Sequence, residues 1–296
     1  MTLRTRLKQL SMLIPGYREL VTIKDQLRGI RRELEQIRSM TAVQIQDFEA
    51  MRSERYSDPL RLHRYAVGVN SQYGEDGMIQ EIFRRIDTTN RVFVEIGVGD
   101  GIENNTAFLL AMGWSGVWID SDGAFRSRIP NDRAARLKTH VGFVTAENVA
   151  ELLVSMGVSA EFDLLSLDID QNTFHVWDAI DNIRPRVVIS EYNATIPPSV
   201  DWCVEYSAVR SWDGSINFGA SLAAFERLGR EKGYSLVGCD FHGANAFFVR
   251  DDLVGSRFCE PFTAINHYEP PRYFIPGRRG HFRALLDRQV PDSSSE

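Results

Sequence analysis

The segment from Arg91 to Asp122, RVFVEIGVGDGIENNTAFLLAMGWSGVWIDSD, restricts this chain more than any other. An apolar run, Val92-Phe93-Val94, leads through Glu95 into Gly97-Val98-Gly99-Asp100-Gly101. A helical pattern ending near Gly113 follows, and a second apolar run, Val117-Trp118-Ile119, ends in Asp120. Strand, glycine turn, helix, strand and acid in that order describe an open α/β sheet with a nucleotide site at the turn. Glycine is needed there because a residue without Cβ lets backbone N–H groups approach a ligand closely. The acid closing the second strand is placed to accept hydrogen bonds from a ribose diol.

Spacing separates the ligands that use this grammar. A dinucleotide site wants G-x-G-x-x-G, and a P-loop ends in Lys-Ser/Thr. This chain has G-x-G-x-G, with Glu95 two residues before the first glycine and no lysine. Glu95 and Asp100 would repel a pyrophosphate but suit a cationic ligand. A glycine-rich turn in an ordinary α/β domain would leave the acids at both strand ends without a shared purpose. The pattern Val94-Glu-Ile-Gly-Val-Gly-Asp-Gly101 resembles the first motif of class I S-adenosylmethionine-dependent methyltransferases. That resemblance gives Glu95 the amino end of the cofactor, Asp120 its ribose, and Gly97, Gly99 and Gly101 the turn.

At 296 residues the chain has ample length for a core. A net charge of −6 gives no general attraction to nucleic acid. Cys203, Cys239 and Cys259 are scattered and imply neither a disulfide framework nor a zinc site, so a cytoplasmic protein is expected. No run of 18 apolar residues exists. Residues 1–17 form an N-terminal segment with Arg4, Arg6 and Lys8 among leucines, readable as a frayed terminus or as a weak membrane-surface helix.

Residues 18–55 carry a heptad stripe. Leu20, Ile23, Leu27, Ile30, Leu34 and Ile37 recur at spacings of three and four, and Thr41, Gln44, Phe48 and Met51 continue it. This is a coiled-coil seam with Leu and Ile at the two core positions, expected to join two strands into a homo-oligomer. The alternative is a stripe packed on the chain's own globular domain, assigned to residues 56–255. That domain opens with Ser71-Gln-Tyr-Gly-Glu-Asp76 and an amphipathic helix through Ile86. Glu75 and Asp76 read as an N-terminal cap, whereas Gln72 and Tyr73 are free to close over the ligand.

Further strands are expected near Thr139–Val144, at Asp163–Leu167 and at Arg186–Ser190, the last two ending in Asp168, Asp170, Glu191 and Asn193. Ligands of an open parallel sheet bind beyond the carboxyl ends of its strands. Carboxylates at that density need a cation or a proton, so Asp168, Asp170 and Glu191 are candidate Mg²⁺ ligands. The metal-free alternative has one acid binding the ligand's cationic end and another capping a helix. Residues 194–220 form a long irregular loop in which Trp202, Tyr206 and Trp212 could stack on sugar rings while Asp213 and Asn217 accept hydroxyl hydrogen bonds, with Asn193, just before the loop, a further candidate for the substrate. Trp202 and Trp212 serve equally well as loop anchors.

The set Ser71–Asp76, Val94–Gly101, Gly113-Trp-Ser-Gly-Val117, Leu167-Asp-Ile-Asp170 and Ser190-Glu-Tyr-Asn193 resembles the FkbM-type methyltransferases, many linked to sugars and polysaccharides. The resemblance spans residues 68–250 and implies a Rossmann-like seven-stranded sheet with helices on both faces. It implies that Ala146 and Glu147, after the third strand, meet adenine, and that a final hairpin points its tip at the active edge. Some related sugar O-methyltransferases use Mg²⁺, in support of the acidic cluster. A Glu is common where this chain has Asp120, so Asp122 is a second candidate for the ribose. His242, in the turn Asp240–Asn245, and His175, after the fourth strand, are rival bases, with Asp168 beside them. Residues 256–296 read as an extended arm and a disordered tail, the arm offering Tyr268, Arg272 or Tyr273 to an acceptor.

The expectation is therefore a methyltransferase acting on a sugar or glycan hydroxyl. A non-catalytic assembly scaffold and, less favoured by glycine spacing, a nicotinamide-dependent oxidoreductase are the alternatives.

Overall fold

A computed structural model describes residues 17–273 and Ile275. Most of the N-terminal segment and the serine-rich tail lie outside the described residues. The heptad segment is helix α1, Tyr17–Arg52, about 54 Å long at 1.5 Å per residue. Leu20, Ile23, Leu27, Ile30, Leu34 and Ile37 are all exposed along it, so the stripe does not pack on the globular domain. A short helix α2, Glu54–Ser57, ends before Pro59.

Helix α3, Glu75–Ile86, buries Met78, Ile79, Ile82, Phe83 and Ile86, the face expected from their spacing. The core then alternates strand and helix: β1 Val92–Ile96, α4 Ala107–Ala111, β2 Ser115–Asp120, β3 Leu137–Val141, α5 Val149–Ser155, β4 Leu164–Leu167, α6 Thr173–Asp178 and β5 Val187–Glu191. Helix α7, Leu222–Glu231, leads into β6 Tyr234–Cys239 and β7 Asn245–Arg250, followed by α8 Asp251–Val254 and α9 Ala264–His267. Strand order is β3-β2-β1-β4-β5-β7-β6, with β1 to β5 parallel and β7 antiparallel to both neighbours. This is the expected seven-stranded Rossmann-like sheet with its terminal hairpin.

Both faces are covered, which is why the inner parallel strands β1, β4 and β5 read as largely apolar runs, whereas the edge strand β3, LKTHV, does not. Val94, Ile96, Leu165 and Val188 share one core with Trp177, Phe225 and Leu228. Phe93, Trp118 and Leu164 share the other with Met78, Ile82 and Leu110. Strand alternation puts Glu95 on the face of Phe93. No helix among the described residues is long and apolar enough to cross a membrane.

Two elements differ from expectation. The helix after the glycine turn is a short five-residue piece, because Asn104, Asn105 and Thr106 are used to hold Glu95. Glu75 and Asp76 do not cap α3. Asp76 Oδ2 accepts the N–H groups of Val69, Asn70 and Ser71, and Glu75 Oε2 accepts that of Tyr73, so both acids organise the segment before the helix.

Candidate active site

A cleft opens beyond the carboxyl ends of β1 and β4. One wall carries Gln72, Glu75 and Asn245; the other carries Gly97, Val98, Gly99, Asp100 and the 103–105 segment, with Glu95 and Asp168 also lining it. The turn is built by positive φ at three glycines: 89° at Gly97, 62° at Gly99 and 77° at Gly101. A Cβ at Gly99 would meet nothing within 4 Å, so its backbone is open to a ligand. Gly101 instead turns inward against Phe125 and Trp118. The Gly99 N–H donates to Asp120 Oδ2 at 2.8 Å, and the Asp122 N–H to Asp120 Oδ1 at 2.7 Å. Asp120 thus joins the end of β2 to the glycine turn, while Asp122 Oδ1 accepts the Ala124 N–H one step away.

Glu95 is buried, and its oxygens accept from Asn104 Nδ2 at 2.6 Å, Asn105 N at 2.8 Å, and Thr106 Oγ1 at 2.5 Å. Thr106 Oγ1 in turn accepts from Trp118 Nε1 at 2.7 Å. Burial raises the Glu95 carboxyl above its ordinary range, and these hydrogen bonds oppose the shift. Its first task is therefore to hold the cleft wall in place. Sequence reasoning missed Asn104, Asn105 and Asn245 and assigned Glu75 to a helix cap; the available signal was Asn-Asn-Thr after the glycine turn, a donor cluster for a buried acid.

Two acceptors in this cleft lack partners among the described residues. Asn104 and Asn245 direct their Nδ2 groups to Glu95 and Glu75, at 2.6 and 2.8 Å, which fixes the amide orientation. Their Oδ1 atoms are buried and accept no hydrogen bond from the described residues. Burial, and then the neighbouring Asp240, raise Glu75 to about 7.

Asp168, Asp170 and Glu191 offer oxygens that all lie within 4.8 Å of one another. Asp168 is exposed by area because it opens on the cleft, yet protein crowds its other sides. Burial, and then Asp170, raise it; burial, and then Asp168, raise Glu191, which shares a hydrogen bond with Asp168. Asp170 is raised by burial and by Asp120, and holds φ at 54°. The cluster accordingly retains a proton unless a cation replaces it.

Other candidates sit elsewhere. The hairpin tip bearing His242 is clamped rather than flexible: Asp240 accepts the N–H groups of His242, Ala244 and Asn245. His242 is fully buried and stacked under Tyr73, with ring centroids 4.3 Å apart, so it is not presented to an acceptor and Tyr73 is not a free lid. His175 is half-buried and turned to the long loop, its Nε2 2.8 Å from the Val204 carbonyl. Asn193 is also a clamp, buried, donating to the carbonyls of Ile216 and Phe218. Asp213 accepts the Ser215 N–H to form a turn, and Trp202 is partly buried beside Ser221. Trp212 remains 47% exposed. Tyr206 donates to Glu147 and accepts the Ala146 N–H at 3.3 Å, which ties the long loop to the segment after β3. Tyr268 and Arg272 bind the Ala194 and Phe241 carbonyls, so the arm is structural there.

No protein-family model matches the sequence, and no curated protein matches it. Among solved structures, the CcbJ methyltransferase of Streptomyces caelestis is similar at 14% identity, covering 64% of this chain and 94% of its own, with a TM-score of 0.36. The glycopeptide N-methyltransferase MtfA is also similar at 14% identity, covering 67% and 99%, with a TM-score of 0.36. Phosphoethanolamine N-methyltransferase 1 of Haemonchus contortus, in complex with phosphoethanolamine and S-adenosylhomocysteine, has 11% identity, 76% and 51% coverage and a TM-score of 0.37.

Proposed function

We propose that this protein is an S-adenosylmethionine-dependent O-methyltransferase acting on a hydroxyl of a sugar or glycan, with Mg²⁺ assisting. The carrying observation is the donor and acceptor balance of the cleft. Beside the glycine turn lie two buried, unpartnered oxygens, Asn104 Oδ1 and Asn245 Oδ1, together with Glu75, Glu95 and Asp168. Such a wall suits a ligand that brings N–H donors and positive charge, and disfavours a pyrophosphate. S-adenosylmethionine fits on both counts, and when bound it supplies an electrophilic methyl on a sulfonium.

The chain's own residues would then position and deprotonate. Gly99 leaves room for the ligand at the turn, and Asp120, fixed by the N–H groups of Gly99 and Asp122, is aimed to receive a diol. Alignment of acceptor oxygen with the methyl contributes most, up to about 7–11 kcal/mol for ideal positioning. With His242 enclosed and His175 engaged, Asp168 and Glu191 are the groups suited to take the hydroxyl proton. Asp168, Asp170 and Glu191 would hold Mg²⁺, whose chemistry is Lewis-acid polarisation of a sugar diol. The sugar reading is supported by the exposed apolar groups Val209, Trp212 and Ile216 of the long loop, which offer flat and apolar contacts to an acceptor.

Isothermal titration calorimetry with S-adenosylhomocysteine, in Mg²⁺ and in EDTA, tests the reading. Micromolar binding is expected, followed by methyl transfer to glycan acceptors; absence of binding in both buffers would move the scaffold reading to first place.

A further inference from the structure

Helix α1 exposes nine large apolar side chains, from Leu20 to Phe48, a density that a lone helix in water does not keep uncovered. The spacing allocates the core positions. Ile23 follows Leu20 at a spacing of three and Leu27 follows Ile23 at a spacing of four, which places leucine at position a and isoleucine at position d through Leu34 and Ile37. Two-stranded parallel coils favour the reverse, β-branched residues at a and leucine at d. Leucine at a with isoleucine at d shifts the preference to three or four strands. The register thus favours three or four strands over the pair expected from the seam alone.

The flanking charges fix direction. Position g carries Glu19, Gln26 and Glu33; position e carries Lys24, Arg31 and Arg38. In a parallel, in-register coil each g residue faces the e residue five positions on in the neighbouring copy. That pairs Glu19 with Lys24, Gln26 with Arg31, and Glu33 with Arg38. In an antiparallel coil g meets g and e meets e, so acids would face acids and bases would face bases. The next such pair, Met40 with Ile45, is apolar, and both residues are exposed, at 59% and 36%. Apolar flanks suit a bundle of more than two helices, where the wider seam covers the e and g positions.

We infer that α1 assembles copies of this chain into a parallel, in-register bundle of three or four helices. All globular domains then emerge at the same end. The helix leads into Arg55 and Tyr56, both held by Glu269 of the globular domain, so the bundle is joined to the clefts through a structured connection.

Sedimentation equilibrium of the full chain tests this. The expected mass is three or four times 33.7 kDa; a monomer or dimer at micromolar concentration overturns the inference. Exchanging the core positions (L20I, L27I and L34I with I23L, I30L and I37L) is expected to reduce the assembly to two chains, and an unchanged mass would overturn the role given to the core. Glu19→Lys with Glu33→Lys is expected to weaken assembly at least tenfold, and adding Lys24→Glu and Arg38→Glu to restore it. Indifference to the first pair, or failure of the second to rescue, would exclude the parallel arrangement.

Discussion

A Cβ built on Gly97 would lie 1.5 Å from the carbonyl oxygen of Asp168 and 2.4 Å from its carbonyl carbon. The glycine turn of β1 and the acidic end of β4 are thus in backbone contact, and the two sequence features that looked chemically active form one unit. Gly97→Ala must push these backbones apart as well as hold a φ of 89°. The loss should exceed the ~1–3 kcal/mol typical of overpacking. Gly99→Ala meets no atoms and should cost only about 1–2 kcal/mol for its left-handed conformation. Urea unfolding should rank the variants in that order, and Gly99→Ala, although folded, should bind S-adenosylhomocysteine at least tenfold more weakly.

Glu95 accepts hydrogen bonds only, and every contact it makes is to a donor. Glu95→Gln keeps the shape but turns an NH₂ group towards donors, leaving buried groups unpaired. A loss of about 1–3 kcal/mol in urea unfolding is expected. Asn245→Ala makes the complementary test: it removes an acceptor offered to the ligand. Because it also removes the donor to buried Glu75, stability should fall too, and on the folded variant S-adenosylmethionine should bind about tenfold more weakly in calorimetry, for loss of a hydrogen bond to a charged group.

The acidic cluster predicts a pH dependence with a definite sign. Folding raises Asp168, Asp170 and Glu191, so the native state binds their protons more tightly than the unfolded chain does. Their contribution to stability is complete below the ordinary carboxylate range and is lost as pH rises through the raised values. Glu75, raised to about 7, acts in the same direction. In EDTA the melting temperature should fall between about pH 5 and 8. Mg²⁺ should oppose that fall and release protons on binding, seen as a buffer-dependent enthalpy. Asp168→Asn should flatten the profile and abolish the response to Mg²⁺.

Strand order and the glycine turn were legible because apolar runs bounded by glycine and acid have few other uses in a chain of this kind. The roles of single polar residues were less legible. Asn193 and His242 sit where an active edge was expected, yet one clamps a loop and the other lies under Tyr73, because burial depends on what the long loop and the C-terminal arm cover. Glu75 looked like a cap because acids are common in a first helical turn. Only the approach of β7 reveals that it faces Asn245, 170 residues away. The heptad stripe shows the opposite case, since its register can be read in sequence without any tertiary contact.

Glu269 is the point where the arm, the hairpin and the end of the long helix meet. It is buried and accepts from Tyr56 Oη at 2.7 Å, Arg272 at 2.9 Å and Arg55 at 3.1 Å, while Arg272 also lies 4.0 Å over the Phe241 ring. Glu269→Gln keeps the volume but leaves two guanidinium groups without their counter-charge. Breaking a buried pair costs about 3–5 kcal/mol, and the value here should lie near the lower end because Arg55 is one-third exposed. The exposed pair Arg227 with Glu231, at 3.5 Å, supplies the control: Glu231→Gln should cost about 0–1 kcal/mol. The variant should also be cut faster by trypsin near Arg55, because the residues joining α1 to the globular domain lose their anchor. Equal stability of the two variants in urea would show that the domain holds this helix by other contacts.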